Sequence, residues 1–243
     1  MRTLVTCAVA SALVLLTGCP AEAPASCQTL ATVPTPVASD GYVLRFVRST
    51  PASPGCETAT PDEMSDIWVF NTVANGVVLA HSVRMPFSEG APTPPGVVGT
   101  GTFAGPEVDA DGLCEVPSLT TMSDSTTGTL FSYQARDLVF LGSPAYQGAE
   151  FKGTLTVSIG TCVADYDVQA LSPAVPCQTD QDCDPLRTPF SSGIARGFDQ
   201  GCTFAPWTAT VMEYLATQYP GNSGVCFLRQ PFPSLNPGAD QSR

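Results

Sequence analysis

Phe151-Lys152-Gly153-Thr154-Leu155-Thr156-Val157-Ser158-Ile159 decides the fold class, because its odd positions are apolar and its even ones largely polar. A period of two buries one face of a strand and wets the other. Past Gly160-Thr161 the parity switches, with Ala164, Tyr166, Val168 and Ala170 alternating with Asp165, Asp167 and Gln169. A turn or bulge at Gly160-Thr161 supplies that one-residue slip. The same reading extends upstream to Leu130–Leu141, to Tyr42, Leu44 and Phe46 around Arg45, and to Ile67-Trp68-Val69-Phe70. From there the chain passes through Ala74-Asn75-Gly76 into Val77-Val78-Leu79, and Asn-Gly supplies the positive backbone angles a tight hairpin needs. Pro86 to Gly99 reads as a loop. Strands split by Gly- and Pro-rich loops, with hardly any helical period, predict a mainly β protein. The expected body, residues 41–175, is an antiparallel β-sandwich or jelly-roll-like fold.

Beyond Pro176 the composition changes. Residues 176–229 hold four cysteines and read as a small disulfide-rich segment with room for one short helix. Trp207, Val211 and Leu215 are four apart, Pro206 suits a first turn and Pro220-Gly221 a stop. The Pro-rich residues 230–243 are expected to be disordered. Residues 19–40, rich in Pro, Ala and Thr, read as a tether.

The N-terminus carries an address. Arg2 precedes an apolar run through Val14-Leu15-Leu16, too short to span a bilayer and ending in Thr17-Gly18-Cys19. Residues 1–18 are therefore a removable leader. Leu16-Thr17-Gly18-Cys19 resembles the lipobox of bacterial lipoproteins. That resemblance implies that Cys19 becomes the first mature residue and carries a diacylglycerol and a further acyl chain. Two or more chains anchor a protein firmly where one does so marginally. In that family aspartate after the cysteine is the best-known signal for inner-membrane retention. Here Pro20 follows, which by itself selects neither membrane; the outer membrane is the expected location, with the inner membrane as the alternative.

The net charge of −12 and a single lysine, Lys152, argue against nucleic acid as a partner, because phosphate binding needs clustered Lys and Arg. Ten cysteines are present. Cys7 leaves with the leader and Cys19 is the lipid site. The even remainder, Cys27, Cys56, Cys114, Cys162, Cys177, Cys183, Cys202 and Cys226, predicts disulfides in an exported protein. Zinc would call for close CxxC-type pairs, and the sequence has none. Order along the chain suggests Cys27–Cys56 and Cys114–Cys162, with the last four paired among themselves.

Two constellations carry candidate chemistry. His81, with Asp124 or Asp137 and Gly221-Asn222-Ser223-Gly224-Val225, faintly resembles the chain order of chymotrypsin-like proteases. The match departs where Asn222 replaces an aspartate and Val225 a glycine, and where few residues follow Ser223. His81 shares parity with Val77, Leu79, Val83 and Met85, as a core or edge residue would. Asp180, Asp182 and Asp184 alternate like the start of a calcium loop, but Pro185 replaces the glycine an EF-hand requires. Asp109-Ala110-Asp111-Gly112 with Glu115 fits a plain turn equally well. Solvated acidic turns are the simpler account of both, so no cofactor is expected. Trp68, Trp207 or Tyr219 could line a glycan site, although such aromatics are more often core.

The lipobox together with Pro176-Cys177-Gln178-Thr179-Asp180-Gln181-Asp182-Cys183-Asp184-Pro185 resembles the cysteine-rich surface lipoproteins of social gliding bacteria. The expected function is a lipid-anchored envelope protein with a binding or structural role and no catalysis. A calcium-dependent adhesion module and a serine hydrolase are the alternatives.

Overall fold

The computed structural model describes residues 26–27, 29, 41–85, 96–126, 128–141, 149–188, 192–194, 196–204, 207–218, 221 and 223–235. Nine strands form the body: β1 (Tyr42–Arg48), β2 (Glu63–Val73), β3 (Val77–Ser82), β4 (Val98–Thr102), β5 (Leu113–Ser118), β6 (Met122–Asp124), β7 (Phe131–Leu141), β8 (Ala149–Ile159) and β9 (Cys162–Ser172). They make one antiparallel sheet in the order β4-β3-β2-β1-β9-β8-β7-β5, with β6 also on β7.

The sheet curls until its edges nearly meet. Ala104 N–H donates to Glu115 O at 2.8 Å and Thr120 N–H to Thr100 O at 2.8 Å, across the gap between β4 and β5. Glycine makes the approach feasible, since a Cβ at Gly101 would lie 2.6 Å from Ser118 O and 2.8 Å from side-chain carbons of Leu119 and Val116. The opposing walls enclose one core. Tyr42, Phe46, Trp68, Phe70, Tyr133, Phe140, Phe151 and Tyr166 are all buried there, many in edge-to-face pairs such as Phe70–Phe140 at 5.4 Å.

The deciding stretch behaves as its alternation predicts. β8 pairs β9 from Ala149↔Ser172 to Ile159↔Cys162, so Gly160-Thr161 is the two-residue turn that flips the parity. Gly160 has φ 61°. Asn75 (φ 63°) and Gly76 (φ 69°) likewise close the β2–β3 hairpin. Gly99, read as loop, lies in β4, while residues 86–95 fall outside the described residues.

The C-terminal part is layered onto the outside of this sheet. β10 (Pro176–Cys177), β12 (Gly224–Leu228) and β11 (Gln200–Thr203) form a second small sheet, joined by α1 (Ala209–Gln218). Val43, Ile67 and Leu171, on the outer face of β1, β2 and β9, are fully buried beneath Val211, Leu215, Val225 and Phe227. The module therefore shares a core with the body. Residues 230–235, expected to be disordered, also pack: Ser234 is buried against Glu150, and Leu235 bridges Phe198. The reason is a buried carboxylate that needs donors, which composition alone does not reveal. Residues 236–243 lie outside the described residues.

All eight predicted cysteines are bridged, and two of the expected pairings are corrected. The bonds are Cys27–Cys114, Cys56–Cys162, Cys177–Cys202 and Cys183–Cys226. Order along the chain failed for the first four because antiparallel topology makes neighbours of distant segments. The N-terminal segment meets β5 at one end of the barrel, and the β1–β2 loop meets the β8–β9 turn at the other. The last four pair among themselves as expected. Closing loops of 87 and 106 residues, the first two bridges should each restrict the unfolded chain by about 4–5 kcal/mol on the chain-entropy estimate.

Candidate functional site

The end of the barrel bearing the β2–β3 hairpin also receives the N-terminal segment. Ser26 forms a bridge with Glu107, Cys27 N–H donates to Pro106 O at 2.9 Å, and Cys27 is bonded to Cys114. Thr29 N–H donates to Thr72 Oγ1 at 2.7 Å, and the two hydroxyls are themselves 2.7 Å apart. Ser26, Cys27 and Thr29, inside the stretch expected to be a tether, are thus fixed to the sheet. Between this segment, the hairpin and the β4–β5 loop lies a half-open groove of about 640 Å³, lined by Thr29, Phe70, Asn71, Thr72, Asn75 and Phe103 among others. Its volume suits a small ligand or the end of a larger one. Among the described residues its lining combines hydroxyls, amides and aromatics with a few aliphatic groups and contains no ionisable side chain.

A second polar constellation sits inside the barrel and has a structural character. Asp66, on the inner face of β2 with 0% exposure, accepts hydrogen bonds from Ile67 N–H (2.8 Å), Trp68 Nε1–H (3.1 Å), Ser82 Oγ–H (2.5 Å) and Tyr133 Oη–H (2.8 Å). The Arg84 guanidinium stands 4.0 Å away and lies over the Phe131 ring. Burial pushes the Asp66 carboxyl above its usual range, while Arg84 and the donors around it act in the opposite direction. Its donors come from β2, β3 and β7, so the carboxylate ties the two walls together. The sequence held a signal for it: Asp66 is the one acid on the parity of Met64, Trp68 and Phe70.

The acidic cluster of the C-terminal module is occupied with its own backbone. Asp180 accepts from Cys202 N–H at 2.8 Å and pairs with Arg229 at 2.7 Å. Asp182 caps a short 3-10 turn by accepting from Gln178 N–H (2.8 Å) and Thr179 N–H (2.9 Å), and pairs with Arg187 at 2.5 Å. Although burial pushes upward, these amides and Arg187 hold the Asp182 carboxyl below its usual range. Asp184 accepts from Leu186 N–H at 2.7 Å. Asp109 accepts from Asp111 N–H and Leu113 N–H within its own turn. Nearby, the sulfurs of Cys177, Cys183 and Cys226 lie within 4.8 Å of one another, belonging to two bridges rather than to free thiolates.

The residues of the hydrolase reading are spread over the fold. His81 is on β3, on the face opposite the fully buried Val78, Ala80 and Ser82, so its parity with Val77 and Leu79 is that of the half-buried outer face. Burial holds its imidazole below the ordinary value. Ser223 precedes β12 in the outer module. Asp124 accepts from Thr126 N–H and Oγ1–H. Asp137, with φ 54°, sits in the bulge of β7 where the register with β8 shifts. Of the aromatics considered for a glycan site, Trp68 and Trp207 are packed, against Tyr133 and Phe227 respectively, and Tyr219 lies outside the described residues.

A family model described as MlpA matches residues 45–173, a span running from β1 to the end of β9 and covering more than half of the chain. No curated protein and no solved structure matches it. The chain belongs to the MlpA family.

Proposed function

We propose that this member of the MlpA family is a lipid-anchored component of the cell envelope, held at the outer membrane by an acylated Cys19, with a binding or structural role rather than a catalytic one. The observation that carries this reading is the handling of the N-terminus. A lipobox ends at Cys19, and only eight residues later the chain is sewn to the barrel by Cys27–Cys114. Four disulfides accord with an oxidising compartment. Among the described residues no helix is long and apolar enough to cross a membrane. The uncharged groove beside Cys27 supports a binding role.

Cys19→Ser should move the protein from the membrane to the soluble fraction, and unchanged fractionation would refute the anchor. Protease treatment of intact cells then separates the two settings. Cleavage would favour adhesion or matrix binding, and protection until the outer membrane is broken would favour envelope assembly or maintenance.

A further inference from the structure

We infer that the groove-bearing end of the barrel is the face turned toward the bilayer, held there by a leash of eight residues; the inference rests on the acylated Cys19 of the reading above. Were Tyr42 the first fixed residue, the tether from Cys19 would reach about 80 Å when extended. Cys27 shortens it. Joined to Cys114 on β5 and hydrogen-bonded to Pro106, Cys27 leaves eight residues, 19–26, between the anchor and the barrel, which reach about 28 Å at most. Strands as long as β2, β7 and β8, 11 residues each, measure about 35 Å. Inverting the barrel would require the leash to run past that length and the far loops as well. The opposite end, with the Cys56–Cys162 bridge and the Gly160-Thr161 turn, therefore points away from the membrane.

The partner that fits this end is the neutral or zwitterionic headgroup layer in which Cys19 is embedded. Asn71 and Asn75 line the groove with uncharged amides, while the Thr29 and Thr72 hydroxyls are paired with each other. Glu107, Asp109 and Asp111 in the flanking loop, and the overall charge of −12, oppose adhesion to anionic lipid. The leash rather than affinity holds the face down.

Val73, 45% exposed at the groove end, and Leu130, 50% exposed at the far end, are matched reporters. A fluorescent amino acid would be placed at one or the other in the full acylated protein, in phosphatidylcholine vesicles carrying a headgroup-labelled acceptor lipid. Energy transfer should be at least twofold more efficient from position 73 than from position 130. Inserting about twenty Gly and Ser residues between positions 22 and 23 lengthens the extended reach of the leash by roughly 70 Å without touching the fold, and should bring the two efficiencies together. Cys19→Ser should abolish transfer from both. Equal transfer in acylated protein, or stronger transfer from position 130, would overturn the orientation alone. Protein whose mass shows no acyl group on Cys19 would overturn the anchor and the orientation together.

Discussion

At the scale of single residues, the most consequential group is Asp66. Its four donors are all buried or part of the backbone, so removing the carboxylate leaves them without a partner inside an aromatic core. Asp66→Ala should cost about 3–5 kcal/mol in urea unfolding, with Asp66→Asn recovering part because its oxygen still accepts. A loss under about 1 kcal/mol would show that the network is not what joins the walls. The acids singled out by sequence are of a different kind. Asp180, Asp182 and Asp184 alternate because they cap a turn and hold Arg229 and Arg187.

At the scale of elements, closure of the sheet and docking of the C-terminal segment are separately testable. Gly101→Val places a branched side chain where even a Cβ meets backbone at 2.6 Å, so it should destabilise the protein by about 1–3 kcal/mol or more, seen as a lower melting temperature. Glu150, at the start of β8, accepts from Ser234 N–H at 2.9 Å and Oγ–H at 3.0 Å and so pins the final segment. Burial raises its carboxyl above the ordinary value of 4.5, outweighing the Ser234 bonds. The folded protein therefore takes up this proton at higher pH than the unfolded chain does. The corresponding stability is fully present below the unfolded value and is lost as pH rises through the folded one. Glu150→Gln lacks that slope, so its stability relative to the native protein should improve as pH rises above the ordinary carboxyl value of 4.5. A pH-independent difference would count against the linkage.

At the scale of the whole molecule, the family match ends at residue 173 while the packing does not. Val43, Ile67 and Leu171 are covered by residues from beyond that point. A fragment of residues 41–175 should therefore expose an apolar face, bind a hydrophobic dye and aggregate, whereas the full chain should unfold in one transition reported alike by Trp68 and Trp207. Two separate transitions would mean that the outer module is an independent domain.

Much of the body was legible locally. Alternation from 151 to 170, the Asn75-Gly76 hairpin and the spacing of Trp207, Val211 and Leu215 are short-range patterns set by backbone geometry, and strands or a helix stand at each. β4 was missed because Val98-Gly99-Thr100-Gly101-Thr102 carries almost no side chain to alternate. Of the candidate sites, the cysteines as a bridged set could be read from their number and the exported context. Their partners, the groove built from Thr29, Asn71 and Asn75, and the outer-face core could not. Each joins residues tens of positions apart, and such neighbours are fixed only when a sheet curls and its strands choose their order. The sequence by itself determined the long alternating strands, two of their turns and the oxidised cysteines, because those depend on neighbouring residues and on total number. Only the tertiary structure decided which cysteines meet, where the N-terminal segment is held and what covers the outer face, because those depend on how the sheet closes.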